Sequence, residues 1–318
     1  MAGTPTVTVR EIVKAEPIRA ESEESMNLIV GATGMVGTEI CRLMAASGKP
    51  VKALVRTSSD PAKVEKLKRL GITVAQGDLR DRISLKAACQ GVNAVIDTAS
   101  SMPFAYAPGE NTPQTTDHDG ALNLIDVARE AGVQQFVYTS FPPMAASFPL
   151  QDAKRAVESR LRGSGLMHTI LRPTYFTEVW LSPAVGFDHA NRKAAVYGTG
   201  ENPISWISFL DVAQFAVASL DNPAARNATL ELGGPEGISP RNAIKVFEKI
   251  GGKAFEVTHV PVDVLQGQLA AATDPMQRSF AGLMVGYANA TAIDMTAALQ
   301  TFALKLRTVE EYARSVNV

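Results

Sequence analysis

The stretch Met26-Asn-Leu-Ile-Val-Gly-Ala-Thr-Gly-Met-Val-Gly37 decides the fold. Its apolar run reads as a strand ending at Val30. The glycines at 31, 34 and 37 follow at once, and a helix is expected over Met35–Ser47. Strand, glycine turn and helix in that order form a phosphate-binding turn. Glycine permits the tight bend and lets the backbone come within hydrogen-bonding distance of a pyrophosphate. The helix N-terminus adds free N–H groups and the positive end of its dipole. A glycine pattern alone is weak evidence, but here the flanking strand and helix supply the context it requires.

A second strand, Val51-Lys-Ala-Leu-Val-Arg56, follows about twenty residues later, where such a turn's partner strand meets the adenosine ribose. An acid there accepts from the ribose 2′-hydroxyl and selects NAD, whereas an arginine pairs with the 2′-phosphate of NADP. The chain has Arg56 and no acid before Asp60, so the expected cofactor is NADP(H). Thr57, Ser58 and Ser59 add hydroxyl donors at the same place.

Past Arg56, strands alternate with helices. Helices are expected from Asp60-Pro61 to Leu70, over Ile83–Cys89, over Thr116–Ala131 and over Asp152–Ser164. Strands are expected at Thr73–Gln76, Ala94–Thr98, Gln135–Thr139 and His168–Leu171. This alternation specifies a doubly wound parallel α/β sheet whose crossovers place the loops after each strand on one edge. Ligands bind at that edge. The expected organisation is an arm over 1–25, a cofactor-binding core over 26–173 and a smaller, mostly helical lobe over 174–318. Strands near 204–208 and 229–232 are expected to return to the core.

Composition narrows the function. The 318 residues are 46% apolar and 20% charged with a net charge of −1, an ordinary globular balance with no basic face for nucleic acid. No apolar run approaches the roughly 20 residues needed to span a membrane. Cys41 and Cys89 fall in helical patterns and read as core residues of a reducing compartment, so a cytoplasmic location is expected. His118, His168, His189 and His259 show no metal-ligand spacing, and no metal is expected. The arm has no apolar core for a signal peptide and too many glutamates for a transit peptide. Its Thr6–Val13 stretch alternates as an extended strand would. Monomer and dimer both remain open.

The chain resembles the atypical short-chain dehydrogenases/reductases, in particular the NmrA-like and isoflavone-reductase-like members. The resemblance rests on Gly31–Gly37, Leu54-Val-Arg56, Gly77-Asp-Leu79, Phe136-Val-Tyr-Thr-Ser140, Lys154 with Ala156-Val-Glu158, Ser164–Pro173 and Ile207-Ser-Phe-Leu-Asp-Val-Ala213. It covers roughly residues 26 to 262. It implies a Rossmann-type sheet and a set of roles. Gly31, Thr33, Gly34, Met35, Val36 and Gly37 hold the pyrophosphate. Asp78 and Leu79 flank the adenine, with Asp78 accepting from its amino group. Thr98, Ala99 and Ser100 pass along the ribose near the nicotinamide. Lys154 bonds the ribose hydroxyls, Pro173 and Tyr175 lie near the carboxamide, and Ser140 completes the cofactor-binding set. Without the resemblance, Lys154 reads as an exposed helix lysine paired with Glu158 at i+4.

One departure bears on catalysis. Most short-chain reductases carry a proton-donating tyrosine four residues before the lysine, and here Leu150 stands there. Isoflavone-reductase-like and NmrA-like proteins share that lack. In the former the lysine is proposed to move the proton, and in the latter no turnover is required. Lys154 is therefore the catalytic candidate, with Tyr175 as a stand-in donor. Met102, Phe104, Tyr106, Phe141, Phe148, Phe176 and Trp180 lie in loops after the strands and suggest a flat hydrophobic substrate, with Met144 and Trp206 beside them. Pro142-Pro143 reads as a stiff lid. Two functions stand: an NADPH-dependent reductase of a small hydrophobic acceptor (a quinone, enone or aromatic compound), or a non-catalytic NADP(H)-binding redox sensor or assembly factor. An epimerase is disfavoured by the missing tyrosine.

Overall fold

The computed structural model describes residues 25–102 and 109–316. The arm apart from Ser25, and the substrate candidates Phe104 and Tyr106, lie outside the described residues.

The first half follows the strand–helix alternation. The elements are β1 (Met26–Val30), α1 (Met35–Ala46), β2 (Val51–Val55), α2 (Pro61–Arg69), β3 (Thr73–Gln76), α3 (Arg82–Cys89) and β4 (Val92–Asp97). Then come α4 (Ala121–Glu130), β5 (Gln135–Thr139), α5 (Pro149–Arg162) and β6 (Met167–Pro173). The helix starts are written locally. The Asp60 side chain accepts from Ala62 N ahead of Pro61, and Asp81 accepts from Ile83 N, each satisfying a free N–H of a first turn.

The six strands pair in parallel in the order β3-β2-β1-β4-β5-β6, and Ala228–Leu232 adds a seventh beyond β6. The order reverses between β1 and β4, which opens the crevice where this architecture binds ligands. Side chains alternate across the sheet. Ile29 faces a core built with α1, α2 and the helix Phe209–Asp221, while Leu28 and Val30 face one built with α3, α4 and α5. Cys41 and Cys89 are buried in these two cores as free thiols, and burial pushes them up to about 12 and about 11.

Two segments differ from expectation. The helix expected over Thr116–Ala131 begins as an eight-residue π-helix, Pro113–Gly120, before α4. Thr112 caps it through Thr115 N, and Gly120 allows it to press on Leu79, where a Cβ would come 2.7 Å from Leu79 Cβ. Single π turns inside helices are rare and sit often at functional sites. The 204–208 segment is not a strand of the sheet. It makes only the isolated bridges Phe176–Ile207 and Ile204–Ile238, because Trp206, 1% exposed, turns into the lobe core and Ser208 already caps the next helix through Leu210 N.

The lobe core gathers Trp206, Phe187, Phe247, Phe255, Tyr287 and Tyr312. A three-stranded sheet of Phe187–Asp188, Lys193–Tyr197 and Glu256–Val260 edges it. The helices Val262–Ala271 and Pro275–Ala288 are joined by an interhelical turn in which Asp274 caps Met276 N and Gln277 N. No helix of the described residues is long and apolar enough to cross a membrane.

Candidate dinucleotide and acceptor site

A cavity of about 1560 Å3 runs along the carboxyl ends of the strands. Its lining takes Gly31 after β1, Arg56 after β2, Gly77 after β3, Thr98 after β4, Ser140 after β5 and Thr174 after β6. Sheet order alone therefore lays these loops side by side.

The glycine turn forms the cavity's middle. Gly31 sits at φ +78, and a Cβ there would come 2.7 Å from Thr98 Oγ1 and 2.9 Å from Ala99 N. Only glycine satisfies both the dihedral and the approach. Gly34 donates to Gly31 O at 2.9 Å and stands at the N-cap of α1 with no side-chain cap, leaving the first N–H groups of α1 for a ligand. Thr33, Met35 and Val36 also line the cavity. Gly37 does not. It is buried, and a Cβ would lie 2.3 Å from Gly31 O, so its role is to let α1 sit against the turn.

At one end stand Arg56, exposed, and Ser59, whose Oγ accepts from Arg56 N. Lys63 of α2 lines the same end, a second cation that its exposed helical position did not single out. Asp78 and Leu79 also face the cavity. Both Asp78 oxygens accept from Arg80, at 2.8 and 2.9 Å. The hydrogen bonds from Arg80 outweigh burial and hold the Asp78 carboxyl below its ordinary range. Asp78 therefore holds its own turn through Arg80 while still facing the cavity.

Lys154 marks the junction of the two halves. It is 4% exposed, and Nζ donates to the carbonyls of Ala99 and Thr139, each at 3.3 Å. It does not pair with Glu158. Its counter-ion is Asp117, brought in by the π-helix, with Oδ1 3.3 Å from Nζ while Oδ2 accepts from Ser101 N at 2.8 Å. The Tyr138 ring lies 5.0 Å from Nζ; Tyr138 is fully buried in β5 and does not line the cavity. Thr98, Ala99 and Ser100 border the same region. Leu150 lines the cavity one turn before Lys154.

Asp97 is a further buried carboxyl here. It accepts from Ala99 N at 2.9 Å, and burial pushes it up to about 6 against the opposing pull of Lys154. The sign follows from linkage. A carboxyl whose folded pKa is raised adds stability at low pH and loses it as pH rises through about 6. We expect unfolding free energy to increase by up to about 3 kcal/mol from this group between pH 7.5 and pH 4. Asp97→Asn, which keeps the acceptor for Ala99 N, should flatten that slope in urea titrations. An unaltered slope would assign it to other groups, Asp211 first, since burial raises it to about 6 as well.

The far half is apolar. Met102, Phe141, Met144, Phe176 and Trp180 line it, together with Pro173 and Tyr175. Tyr175 is wedged edge-on between Trp180 and Tyr287, with centroids at 4.9 and 5.2 Å, and burial raises its hydroxyl above the ordinary range. It holds its proton at neutral pH. Phe148, expected in the pocket, is 1% exposed and absent from the lining. Its ring fills the gap over Gly282, where a Cβ would be 2.3 Å away, and stacks behind Phe141 at 6.2 Å. Trp206 is likewise core.

The loop after β5 is tied down rather than hinged. Gln151 accepts from Met144 N at 2.6 Å and donates to the carbonyls of Met144 and Ala146 at 3.0 and 2.7 Å. Arg155 donates to Ser140 Oγ at 2.8 Å and to the Phe141 carbonyl. Arg155 pairs in turn with Glu158, 1% exposed, which also accepts from Arg172 and Arg162. Burial raises the Glu158 carboxyl, but bonds from Arg172 and Ser140 and the charge of Arg155 win and leave it below its ordinary range. The sequence motifs hold Ser140, Glu158 and Arg172 separately, and nothing in the sequence joined them into a network, because they lie after β5, on α5 and on β6. Among the described residues no cluster of His, Cys, Asp and Glu is placed to hold a metal ion.

The NmrA-like family model matches residues 23–313. The chain belongs to the NmrA-like family. It is 31% identical over 262 residues to the NAD(P)H azoreductase of Xenophilus azovorans, covering 81% of this chain and 85% of that protein. It is 29% identical over 246 residues to the photosystem II assembly factor Ycf39 of Trieres chinensis, covering 75% and 73%. The NADPH complex of a quinone oxidoreductase from Escherichia coli shares its fold, with a TM-score of 0.71 at 22% identity over 92% of this chain and 99% of that one. This NmrA-like chain thus has relatives both among reductases and among assembly factors.

Proposed function

We propose that the protein is an NADPH-dependent reductase of a small, flat, hydrophobic acceptor. The observation that carries this is the continuity of the cavity: one space joins the glycine turn and Arg56 to an apolar chamber, with Lys154 at the junction. A sensor needs only the first part. It can fill the second with side chains, and here that part is open. The reductases among the relatives support the same reading, while Ycf39 keeps the assembly-factor alternative in view.

The residues fit the dinucleotide. Gly31, which lines the cavity, keeps the turn tight against Thr98 and Ala99, and the capless start of α1 offers the N–H groups a pyrophosphate requires. In this reading Gly31, Thr33, Gly34, Met35 and Val36 hold the pyrophosphate, and Arg56 with Lys63 holds the 2′-phosphate. Asp78 and Leu79 flank the adenine. Thr98, Ala99, Ser100 and Lys154 take the inner ribose, and Ser140, Pro173 and Tyr175 take the carboxamide. Bound NADPH supplies the hydride.

The chain's own part is to orient the acceptor and to manage the proton. Phe141, Phe176 and Trp180 hold a flat molecule by its faces and exclude water. A quinone or extended enone spreads the charge it gains over several atoms, so protonation needs no dedicated tyrosine. Lys154 Nζ offers a cation to that charge at the junction, and Tyr175, whose hydroxyl keeps its proton, lines the same chamber.

The test is NADPH oxidation by the purified protein against quinones, enones and aromatic ketones, with NADPH affinity measured in parallel. Turnover on any acceptor is expected. Tight NADPH binding with no turnover on any of them would overturn the reductase and favour the assembly-factor role.

A further inference from the structure

The charged side chains lining the cavity have uses, with one exception. Among the described residues Lys154 is paired with Asp117, Asp78 with Arg80 and Glu231 with Arg172. Arg56 and Lys63 lie at the 2′-phosphate end, on β2 and α2. Arg278 is the remainder. It sits in the first turn of the helix Pro275–Ala288, half-buried, and lines the apolar chamber beside Leu269, Phe280 and Leu283. Among the described residues its side chain makes one hydrogen bond, a long one of 3.4 Å to the Leu269 carbonyl. Asp274, one turn before it, caps the helix through Oδ1, which accepts from both Met276 N and Gln277 N, and among the described residues it forms no ion pair with Arg278.

The neighbouring residue places this cation. Ser279 Oγ accepts from Leu150 N at 3.1 Å and donates to the Pro275 carbonyl at 2.7 Å. That bond anchors the helix against the start of α5, and Arg278, one position earlier, reaches instead toward the preceding helix Val262–Ala271, where the Leu269 carbonyl lies. An apolar chamber with one guanidinium is the pattern of a pocket that reads a flat ligand by its faces and one charged substituent by a fork.

Resting on the reductase reading, we propose that the acceptors are aromatic compounds bearing an anionic group, a carboxylate or sulfonate, and that Arg278 receives that group. Arg278 is then a specificity-determining residue. A cation partly withdrawn from water gains its counter-ion from the substrate, and neutral acceptors forgo that gain.

The test uses binding, so it does not depend on turnover. Naphthalene-2-sulfonate and its neutral analogue naphthalene-2-sulfonamide are titrated calorimetrically into the intact protein in the presence of NADP+. The sulfonate should bind about 10-fold tighter or more. In Arg278→Gln the preference should shrink to within about threefold, and in Arg278→Lys it should fall between the two, because the charge remains while the fork is lost. Melting temperatures confirm that each variant is folded. Equal affinities in the unsubstituted protein, binding of neither compound, or a preference that survives Arg278→Gln would each overturn the proposal. A sulfonate preference in a protein that oxidises no NADPH would leave this site standing and remove the reductase instead.

Discussion

Replacing Lys154 by Met should lower turnover on every acceptor by about 100- to 1000-fold, the scale of a lost proton-managing group. The same change should also destabilise the protein, because Asp117 has 0% side-chain exposure and Lys154 is its counter-ion. Removing one partner of a buried pair costs about 3–5 kcal/mol. A drop in rate from the single variant is therefore ambiguous. The double variant Lys154→Met with Asp117→Asn resolves it. Asparagine keeps the acceptor for Ser101 N and removes the orphaned charge, so melting should return close to the starting value. Turnover should stay low. If the double variant regains activity to within threefold, Lys154 is a structural cation and the proton comes from elsewhere, with Tyr175 the next residue to change.

Arg56→Asp should weaken NADPH binding by about 30- to 1000-fold. A charge-assisted fork to phosphate contributes about 1.5–3 kcal/mol, and the substituted carboxylate adds repulsion. NADH carries no 2′-phosphate, so its affinity should change by less than about threefold. Lys63 shares that end of the cavity, so Arg56→Ala alone should lose less, and Arg56→Ala with Lys63→Ala should approach the loss of Arg56→Asp. The measurement is the ratio of the two dissociation constants. Equal losses for both cofactors would remove Arg56 from the phosphate site.

Both predictions start from residues legible in the sequence, but the structure changes what each variant is expected to do. Arg56 follows an alternating strand behind a glycine turn, and its meaning depends only on local order. Lys63 lies seven residues further on and looks like any solvated helix lysine; it gains meaning only because α2 folds back along the cavity. Lys154 was legible from its motif, whereas its partner was not. Asp117 is separated from it by 37 positions and reaches it through a π-helix that no hydrophobic period announces. The same holds for Phe148 and Trp206. Their apolar character was plain, but whether an aromatic faces a cavity or a core depends on what packs behind it, and here Gly282 and the lobe aromatics supply that packing.

The sequence by itself determined the α/β alternation, the glycine turn and the helix starts, because these follow from backbone freedom, side-chain period and hydrogen bonding between near neighbours; the missing tyrosine was legible only through the family resemblance. Only the tertiary structure decided which side chains share the cavity. It paired Lys154 with Asp117, took Phe148 and Gly37 out of the lining, tied the Pro142-Pro143 loop to Gln151, and brought Arg278 from the far end of the chain to the chamber wall. These contacts join residues that are distant in sequence, and only the order of strands in the sheet and the docking of the lobe bring them together.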